Sequence, residues 1–283
     1  MHSLNITYIL LIITILISLF CRDKRPVYLG IGITILAALY QGIINIIGFS
    51  TLIVFAGITY AYFNLQLNKI IKTLLFTSIS VFFVGFAFHK VPGFFNILAI
   101  DKVQLSELSV PFTMYLNFDK VIPALIIFSL SDLYILEKQE SSGTVKYTLL
   151  SLLLCIMIIM ALSLISGYVL FEPKIPSILP IWAINNFFLV CMAEEVFFRG
   201  FLQRTLQNLL PKQQILAVIM GSIIHGLAHF RGGLIYIALT TICSFFPGYT
   251  YYKTNKILCS MIVHFGLNLF HILLFTYPAL KIL

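Results

Sequence analysis

A short stretch, CMAEEVFFRG (191–200), places two adjacent carboxylates and an arginine inside an apolar part of the chain. Glu194, Glu195 and Arg199 stand where a membrane helix is expected, and a charged side chain at bilayer depth costs several kcal/mol. Glu195 and Arg199 are four residues apart, so a helix puts them on one face, one turn apart. The sequence therefore predicts that these charges have a function or a specific partner.

Two later apolar stretches repeat this spacing with histidine and asparagine. GSIIHGLAHF carries His225 and His229, and MIVHFGLNLFH carries His264 and Asn268. The members of each pair are four residues apart, so each pair shares one helix face. We expect three helices to bring glutamates, histidines and an asparagine into one buried cluster.

The depth of this cluster follows from a turn between two of the helices. LLPKQQ (209–214) predicts such a turn, because Pro211 cannot continue a helix and Lys212 prefers water. Glu194 lies 17 residues before Pro211, and His229 lies 18 residues after it. A hairpin at this point brings both side chains to the same height, about 25 Å from the turn at a rise of about 1.5 Å per residue.

A cluster of this composition suits hydrolysis. A glutamate in a low-dielectric pocket can act as a general base on water, and a neighbouring histidine can share or relay the proton. A second histidine and an asparagine can donate hydrogen bonds to the oxyanion that develops on an attacked carbonyl. Arg199 can hold Glu195 ionised and aimed, so that one glutamate reacts and the other is structural. Taken singly, each of these residues is also explained by helix packing.

Composition sets the environment of the cluster. Of 283 residues, 60% are hydrophobic and 10% are charged, whereas a soluble domain carries roughly a quarter charged residues. This composition predicts an all-α polytopic transmembrane helical bundle. The net charge of +8 comes from lysines and arginines scattered between apolar runs, which is a topology signal and not a nucleic-acid-binding cluster. The five cysteines lie singly, without metal-binding spacing, and are expected to pack in the core.

About ten spans are predicted, since a spanning helix needs about 20 apolar residues. The largest polar interruption, 90–120, predicts an extramembrane loop with a re-entrant piece around Val110–Phe118. The predicted spans are 4–20, 27–48, 50–66, 73–89, 121–136, 147–171, 180–208, 213–230, 234–252 and 257–277.

The placement of basic residues predicts how the chain lies in the membrane. Apolar residues 5–20 precede the basic CRDKR, the reverse of the order in a signal peptide, so this segment is interpreted as a retained first membrane helix. A cytoplasmic position for CRDKR puts both termini outside. A composition rich in Ile, Phe, Asn and Lys favours an integral multi-pass protein of a bacterial cytoplasmic (inner) membrane, with the lipid bilayer as a partner and no nucleic acid.

The three motifs together resemble those of one protein family. EEVFFRG resembles the EExxxR motif of the CPBP (CAAX protease and bacteriocin-processing) intramembrane endopeptidases, which include the CAAX prenyl endopeptidases. HGLAH matches the second motif, FxxxH, at His229, and HFGLN matches the third, HxxxN, at His264 and Asn268. The resemblance covers roughly 180–271. It implies a CPBP-like catalytic transmembrane core over 151–283, while the transmembrane helices of 1–150, with their polar loop, have no assigned role.

Carried over residue by residue, the resemblance implies four catalytic residues. Glu194 becomes the base that activates water, and His229 its partner on the same water. His264 and Asn268 become the donors to the oxyanion.

The resemblance implies supporting roles for the remaining motif residues. Glu195 and Arg199 assist the catalytic glutamate. His225 departs from the family pattern, which usually has phenylalanine at this position. That departure is either a tolerated exchange or an additional ligand that strengthens a metal site.

The cofactor requirement stays open at this point. Three histidines and two glutamates supply enough nitrogen and oxygen ligands for Zn²⁺, and a metal would be held by Glu194, His229 and His264. HExxH is absent, and a glutamate with a histidine suffices for the chemistry, so the version that requires no cofactor is favoured.

The predicted function is that of a membrane-embedded CAAX-type endopeptidase, dependent on glutamate and histidine or on a metal. Its substrate is expected to be a membrane protein or peptide, with a lipidated tail as one form. The alternative is a catalytically silent membrane scaffold or immunity factor of the same family. A proton-coupled transporter predicts inverted repeats or broken helices in matching halves, and the sequence has no such symmetry.

Overall fold

The computed structural model describes residues 5–139 and 142–281, and most of these residues are helical. The first predicted span begins at residue 4, which lies outside that part. The outer ends of the two predicted domains, residues 1 and 283, also lie outside it. The helices are α1 (Ile6–Phe20), α2 (Arg25–Tyr40), α3 (Ile46–Asn64), α4 (Lys69–Ala87), α5 (Phe118–Leu130), α6 (Leu133–Lys138), α7 (Thr144–Ile165), α8 (Leu179–Leu209), α9 (Gln214–Ala228), α10 (Gly233–Thr254) and α11 (Ile257–Leu274).

The helices confirm an integral membrane protein of the helical class. Within the described residues, six helices are long and apolar enough to cross a membrane: α3, α4, α7, α8, α11 and the segment Phe230–Thr254 that contains α10. The apolar helices α1, α2 and α9 are shorter, at 10–17 residues. The count of about ten spans therefore stays a prediction.

Two predicted segments differ from the structure. The predicted span 121–136 is divided at Ser131 into α5 and α6, neither of which is long enough to cross a membrane. The segment predicted as a loop with a re-entrant piece, 90–120, contains the strands β1 (Ile97–Val103) and β2 (Phe112–Leu116), which pair in a two-stranded sheet. The fold is thus mainly α-helical with one small strand pair.

The first of two compact units consists of Met1–Ala99, Tyr115–Gln139 and Phe188–Phe197. Its central element is α5, which is buried at every position from Phe118 to Ser129 except Lys120. Helices α1 to α4 and α6, together with Met192–Glu195, pack around α5. A helix that is apolar all round belongs in a protein interior, which explains why this run resembled a membrane span in the sequence.

The second unit consists of Ile100–Met114, Glu140–Phe187 and Phe198–Leu283. Helix α10 packs against α7, α9 and α11, and α7 also packs against α11. The core of this helical bundle is apolar and contains Cys155, Ile159, Met160, Val169, Phe246, Val263, Leu267 and Phe275.

The crossing of α9 and α10 depends on a glycine next to a motif histidine. A Cβ atom at Gly226 would lie 1.9 Å from Thr241 Oγ1 and 2.9 Å from the carbonyl oxygen of Ile237. Both distances are too short for a Cβ atom. The oxygen of Ile237 belongs to the backbone, which cannot rotate out of the way as a side chain can. The two helices therefore reach their observed separation only with a bare backbone at this position.

We predict that Gly226→Ala destabilises the protein by about 1–3 kcal/mol, because the added methyl group overpacks the α9–α10 crossing. Gly57→Ala in α3 is the matched control, since a Cβ there meets nothing within 4 Å and alanine favours a helix. Thermal unfolding of both variants in detergent micelles measures the difference. Equal melting temperatures for the two variants would show that the crossing can open without cost.

Candidate functional site

Helix α8 carries the first motif and has an unusual backbone. It begins with Pro180 in its first turn, where the missing N–H is not needed, and ends just before Pro211. Two π-helical stretches, Asn185–Cys191 and Val196–Gln203, flank the α-helical turn Met192–Glu195. π-Helical turns are rare in proteins overall, but those that do occur are frequently found at functional sites. The two glutamates therefore lie on a regular turn between two widened segments.

The polar side chains of this helix from Glu194 to Gln203 are buried. Glu194 is 8% exposed, while Glu195, Arg199 and Gln203 are fully buried. Charged groups withdrawn from water are stable only when they are paired and hydrogen-bonded. The partners of these side chains therefore determine what the helix can do.

In the first unit, Glu194 forms an ion pair with Lys120 in the first turn of α5. Lys120 Nζ donates to Glu194 Oε1 at 2.6 Å, and the two side chains are only 12% and 11% exposed. A short hydrogen bond between charged groups of this kind is stronger than a neutral one. The bond occupies one carboxylate oxygen of Glu194 and fixes the orientation of the other.

The residue before Lys120 anchors the start of α5. Asp119, 2% exposed, receives a hydrogen bond at Oδ1 from Asn96 Nδ2 at 2.8 Å. Its Oδ2 lies 2.7 Å from His89 Nδ1. Two side chains from outside the helix thus hold the backbone from which Lys120 extends.

In the second unit, Arg199 binds a histidine and a serine. Arg199 Nη2 donates to Ser244 Oγ at 2.8 Å and lies 3.1 Å from His225 Nδ1. The Ser244 hydroxyl also lies 3.0 Å from His225 Nδ1. All three residues are buried, so this triangle joins α8, α9 and α10 through charge-assisted hydrogen bonds.

Gln203 repeats the contact one turn further along α8. Its Nε2 donates to the carbonyl oxygen of Gly248 at 2.9 Å. A Cβ atom at Gly248 would lie 2.8 Å from Gln203 Oε1, so the close approach needs a small residue. Arg199 and Gln203 on one helix therefore match Ser244 and Gly248 on the other, in each case at a spacing of four.

The three motif histidines lie together in the second unit. The rings of His225 and His229 have centroids 5.0 Å apart, and those of His225 and His264 6.1 Å apart. Phe198 stacks on His225 at 4.2 Å. The sequence prediction that α9 and α11 bring their histidines into one cluster is confirmed for this unit.

Hydrogen bonding assigns the proton positions on two of these rings. His229 Nδ1 lies 3.0 Å from the carbonyl oxygen of His225, which can only accept, so Nδ1 carries the proton and Nε2 has the lone pair. His225 Nδ1 faces the guanidinium of Arg199, which can only donate, so its neutral ring carries the proton on Nε2. The neutral rings of the two histidines are therefore opposite tautomers, with the proton on Nδ1 in His229 and on Nε2 in His225.

Asn268 is oriented by another asparagine. Its Nδ2 donates to Asn186 Oδ1 on α8 at 3.1 Å. Asn185, the neighbouring residue, is 5% exposed, and its Oδ1 accepts no hydrogen bond from the residues that the structure describes. His271 bonds the carbonyl oxygen of Thr276 at 3.2 Å, in agreement with a structural role.

The structure thus distributes the predicted site residues between the two units. The first unit contains Glu194 and Glu195, and the predicted common height of Glu194 and His229 stays a prediction. Grouped in the second unit are Arg199, His225, His229 and His264, and Asn268 of that unit contacts Asn186.

Sequence reasoning missed Lys120, Ser244 and Gln203. Lys120 stands in a polar stretch far from the motifs, and no spacing rule links it to Glu194. A signal for Gln203 did exist, since it follows Arg199 by four residues and therefore shares its helix face. Ser244 is one of several hydroxyl side chains in α10, and nothing in the sequence distinguishes it from the others.

Comparison with known proteins assigns a family to part of the chain. Residues 176–270 match the family model described as type II CAAX prenyl endopeptidase Rce1-like. The match covers all three motifs and agrees with the resemblance to the CPBP endopeptidases. No curated protein and no solved structure matches the chain.

We predict that Ser244→Ala destabilises the protein by about 1–3 kcal/mol, because it removes a buried acceptor of Arg199. Ser222→Ala is the matched control, since this serine is equally buried but donates only to Val218 in its own helix. The control should change the free energy of unfolding by less than about 0.5 kcal/mol. Thermal unfolding of the two variants in one detergent tests this, and equal losses would contradict the proposed importance of the Arg199 triangle.

Proposed function

We propose that this membrane protein, whose residues 176–270 match an Rce1-like domain, is an intramembrane endopeptidase. It hydrolyses a peptide bond of a membrane-associated protein or peptide through a water activated by a glutamate and a histidine. The observation that carries the proposal is the buried carboxylate of Glu194 on the membrane-spanning helix α8, paired with Lys120. Such a group is costly in an apolar environment unless it has a task.

Glu194 is the proposed base. Lys120 donates to its Oε1 and so fixes the carboxylate that accepts a proton from water. His229 is its proposed partner on the same water. This role is supported by the proton on Nδ1, which leaves the lone pair of Nε2 to accept the second hydrogen.

His264 and Asn268 are the proposed donors to the oxyanion. An amide nitrogen carries two hydrogens, so the bond from Asn268 Nδ2 to Asn186 leaves one hydrogen for the substrate. That bond also orients the amide before substrate arrives. Oriented donors in a site without bulk water stabilise the developing charge strongly.

The proposed reaction has four net bond changes: a C–O bond and an N–H bond form, and an O–H bond of water and the peptide C–N bond break. The water oxygen bonds to the peptide carbonyl carbon while its proton passes to Glu194. The tetrahedral intermediate holds its negative oxygen against His264 and Asn268. The C–N bond then breaks as Glu194 returns the proton to the amine. One water is consumed, and a new carboxyl end and a new amino end are released.

Arg199, His225 and Glu195 are the proposed supporting residues. Arg199 donates to His225 Nδ1 and to Ser244, which fixes the ring of His225. The backbone carbonyl oxygen of His225 in turn accepts a hydrogen bond from His229 Nδ1. A chain of contacts thus runs from the arginine to the proposed partner of the water. Glu195, fully buried on the same turn as Glu194, is the structural member of the glutamate pair.

The metal-free version is favoured by two observations on the candidate ligands. By donor type, Glu194, His225 and His229 can hold a metal ion, as can the predicted set of Glu194, His229 and His264. However, Lys120 already supplies a positive charge to Glu194 at 2.6 Å, and a dication beside it would be repelled. His225 keeps its proton on Nε2 as long as Arg199 donates to Nδ1, so this nitrogen lacks the lone pair that a metal needs.

The proposed substrate class is a membrane protein or peptide, with a prenylated CAAX tail as the form that the matched family suggests. The proposed location is the bacterial cytoplasmic membrane, supported by a composition rich in Ile, Phe, Asn and Lys. A bacterial cell without prenylated proteins would require another target, which only an unbiased search for cleaved proteins identifies.

We predict that Glu194→Gln lowers the proteolytic rate at least 100-fold, because glutamine cannot accept the proton from water. Glutamine keeps the shape of the side chain and an oxygen for Lys120. Protein ends in the membrane fraction are compared between cells expressing equal amounts of wild type and variant. Glu107→Gln, which removes an exposed carboxylate from a loop, is the control and should match wild type.

New protein ends that appear with wild type and Glu107→Gln, but not with Glu194→Gln, would establish proteolysis and identify the substrate. Identical protein ends in all three strains at equal abundance would contradict an enzyme. They would favour the alternative of a catalytically silent scaffold or immunity factor, for which loss of partner binding is the relevant measurement.

We also predict that chelators leave the rate of the purified protein unchanged, since Lys120 supplies the positive charge that a metal would supply. The cleavage site found in cells is synthesised as an internally quenched peptide and assayed after treatment with 1,10-phenanthroline. Loss of activity that added Zn²⁺ restores would overturn the metal-free version and favour ligation by Glu194, His229 and His264.

A further inference from the structure

Lys120 lies well outside the matched segment 176–270, yet it contacts the proposed base directly. The two residues are separated by 74 positions in the chain. Both belong to the first unit, where Met192–Glu195 packs against α5. The helices of the N-terminal half, which had no role in the sequence analysis, therefore include the ion-pair partner of Glu194.

The structure around Lys120 fixes it in place. Asp119 is held by Asn96 and His89 on two sides, and the following turns of α5 are buried throughout. A lysine side chain has four rotatable carbons and is normally mobile. Here its backbone is anchored and its side chain is 12% exposed, so little freedom remains for its ammonium group.

An ammonium group at this distance restrains a carboxylate in an apolar surrounding, because the short charge-assisted hydrogen bond holds the carboxylate in one orientation. General bases lose rate steeply when misplaced, by about 100-fold for a shift of about 1 Å.

We infer that Lys120 is a positioning residue that holds the carboxylate of Glu194 in the orientation from which it accepts a proton from the attacking water. This inference rests on the proposed function, since it assigns Lys120 a part in that reaction. It extends the proposed site beyond the Rce1-like segment to α5, and it gives the first unit a task in the chemistry. Lys120 itself does not touch the substrate.

The first test compares kcat and KM for cleavage by purified wild type, Lys120→Met, Lys120→Arg and Lys72→Met. The probe is the internally quenched peptide made from the cleavage site found in cells. Lys120→Met should lower kcat about 100-fold and leave KM nearly unchanged. Lys120→Arg, which keeps the charge, should restore most of kcat.

Lys72→Met is the matched control, because Lys72 is an exposed lysine on α4 of the same unit and should behave as wild type. A Lys120→Met enzyme with the wild-type kcat would overturn the inference. So would a Lys120→Arg enzyme as impaired as Lys120→Met, because the positive charge would then have no influence on the rate.

The second test needs no substrate. Melting temperatures are compared for wild type, Lys120→Met, Glu194→Gln and the double variant. Each single change leaves one group without its partner and should lower the melting temperature, on the order of 5 °C for Lys120→Met. The double variant should recover much of this loss, since both members of the pair are gone.

The two tests separate failure of the inference from failure of the proposed function. Strict additivity in the melting temperatures would show that the ion pair does not couple the residues, and it would overturn the inference even in an active protease. Coupling in a protein that cleaves nothing would overturn both the proposed function and the positioning role, and the pair would be purely structural. Coupling together with the loss of kcat in Lys120→Met supports both.

Discussion

The organisation of this protein depends on one constraint, that charges placed in an apolar helix must find partners within the protein. Water is absent from the bilayer core, and an uncompensated charge there costs more than most folds can tolerate. Helix α8 carries two glutamates and an arginine in such a position. The requirement is met by Lys120 for Glu194, and by Ser244 together with His225 for Arg199.

Small residues make those partnerships geometrically possible. The amide of Gln203 reaches the backbone of Gly248, and the neighbouring helices cross at Gly226 with no room for a side chain. Association of helices within a bilayer gains little from the hydrophobic effect, because lipid is as apolar as leucine. Close packing and interhelical hydrogen bonds therefore position the histidine cluster. The π-helical stretches of α8 add a second adjustment, since a wider turn changes which side chains share a face.

Burial that is costly for stability is useful for chemistry. Hydrogen bonds to charged groups strengthen as the local dielectric falls, so a few fixed donors can stabilise an oxyanion without bulk water. The ordered contacts from Arg199 through His225 to His229 fix the proton on each ring. Asp119 is remote from the motifs, but it directly precedes Lys120, and the two side chains that hold it anchor the backbone from which the lysine extends.

The amino-acid sequence alone determined the membrane class, the helical positions of all three motifs and the grouping of their histidines. These follow from local rules, namely apolar length and a spacing of four on a helix. It also predicted a single span at 121–136, where a largely buried α5 followed by α6 is found, because an apolar run has the same composition in lipid and in a protein core. Only the tertiary structure decided the partners of the charges. Lys120 meets Glu194 across 74 residues, and Ser244 meets Arg199 across 45. Contacts between distant segments depend on how helices pack, which no short motif encodes.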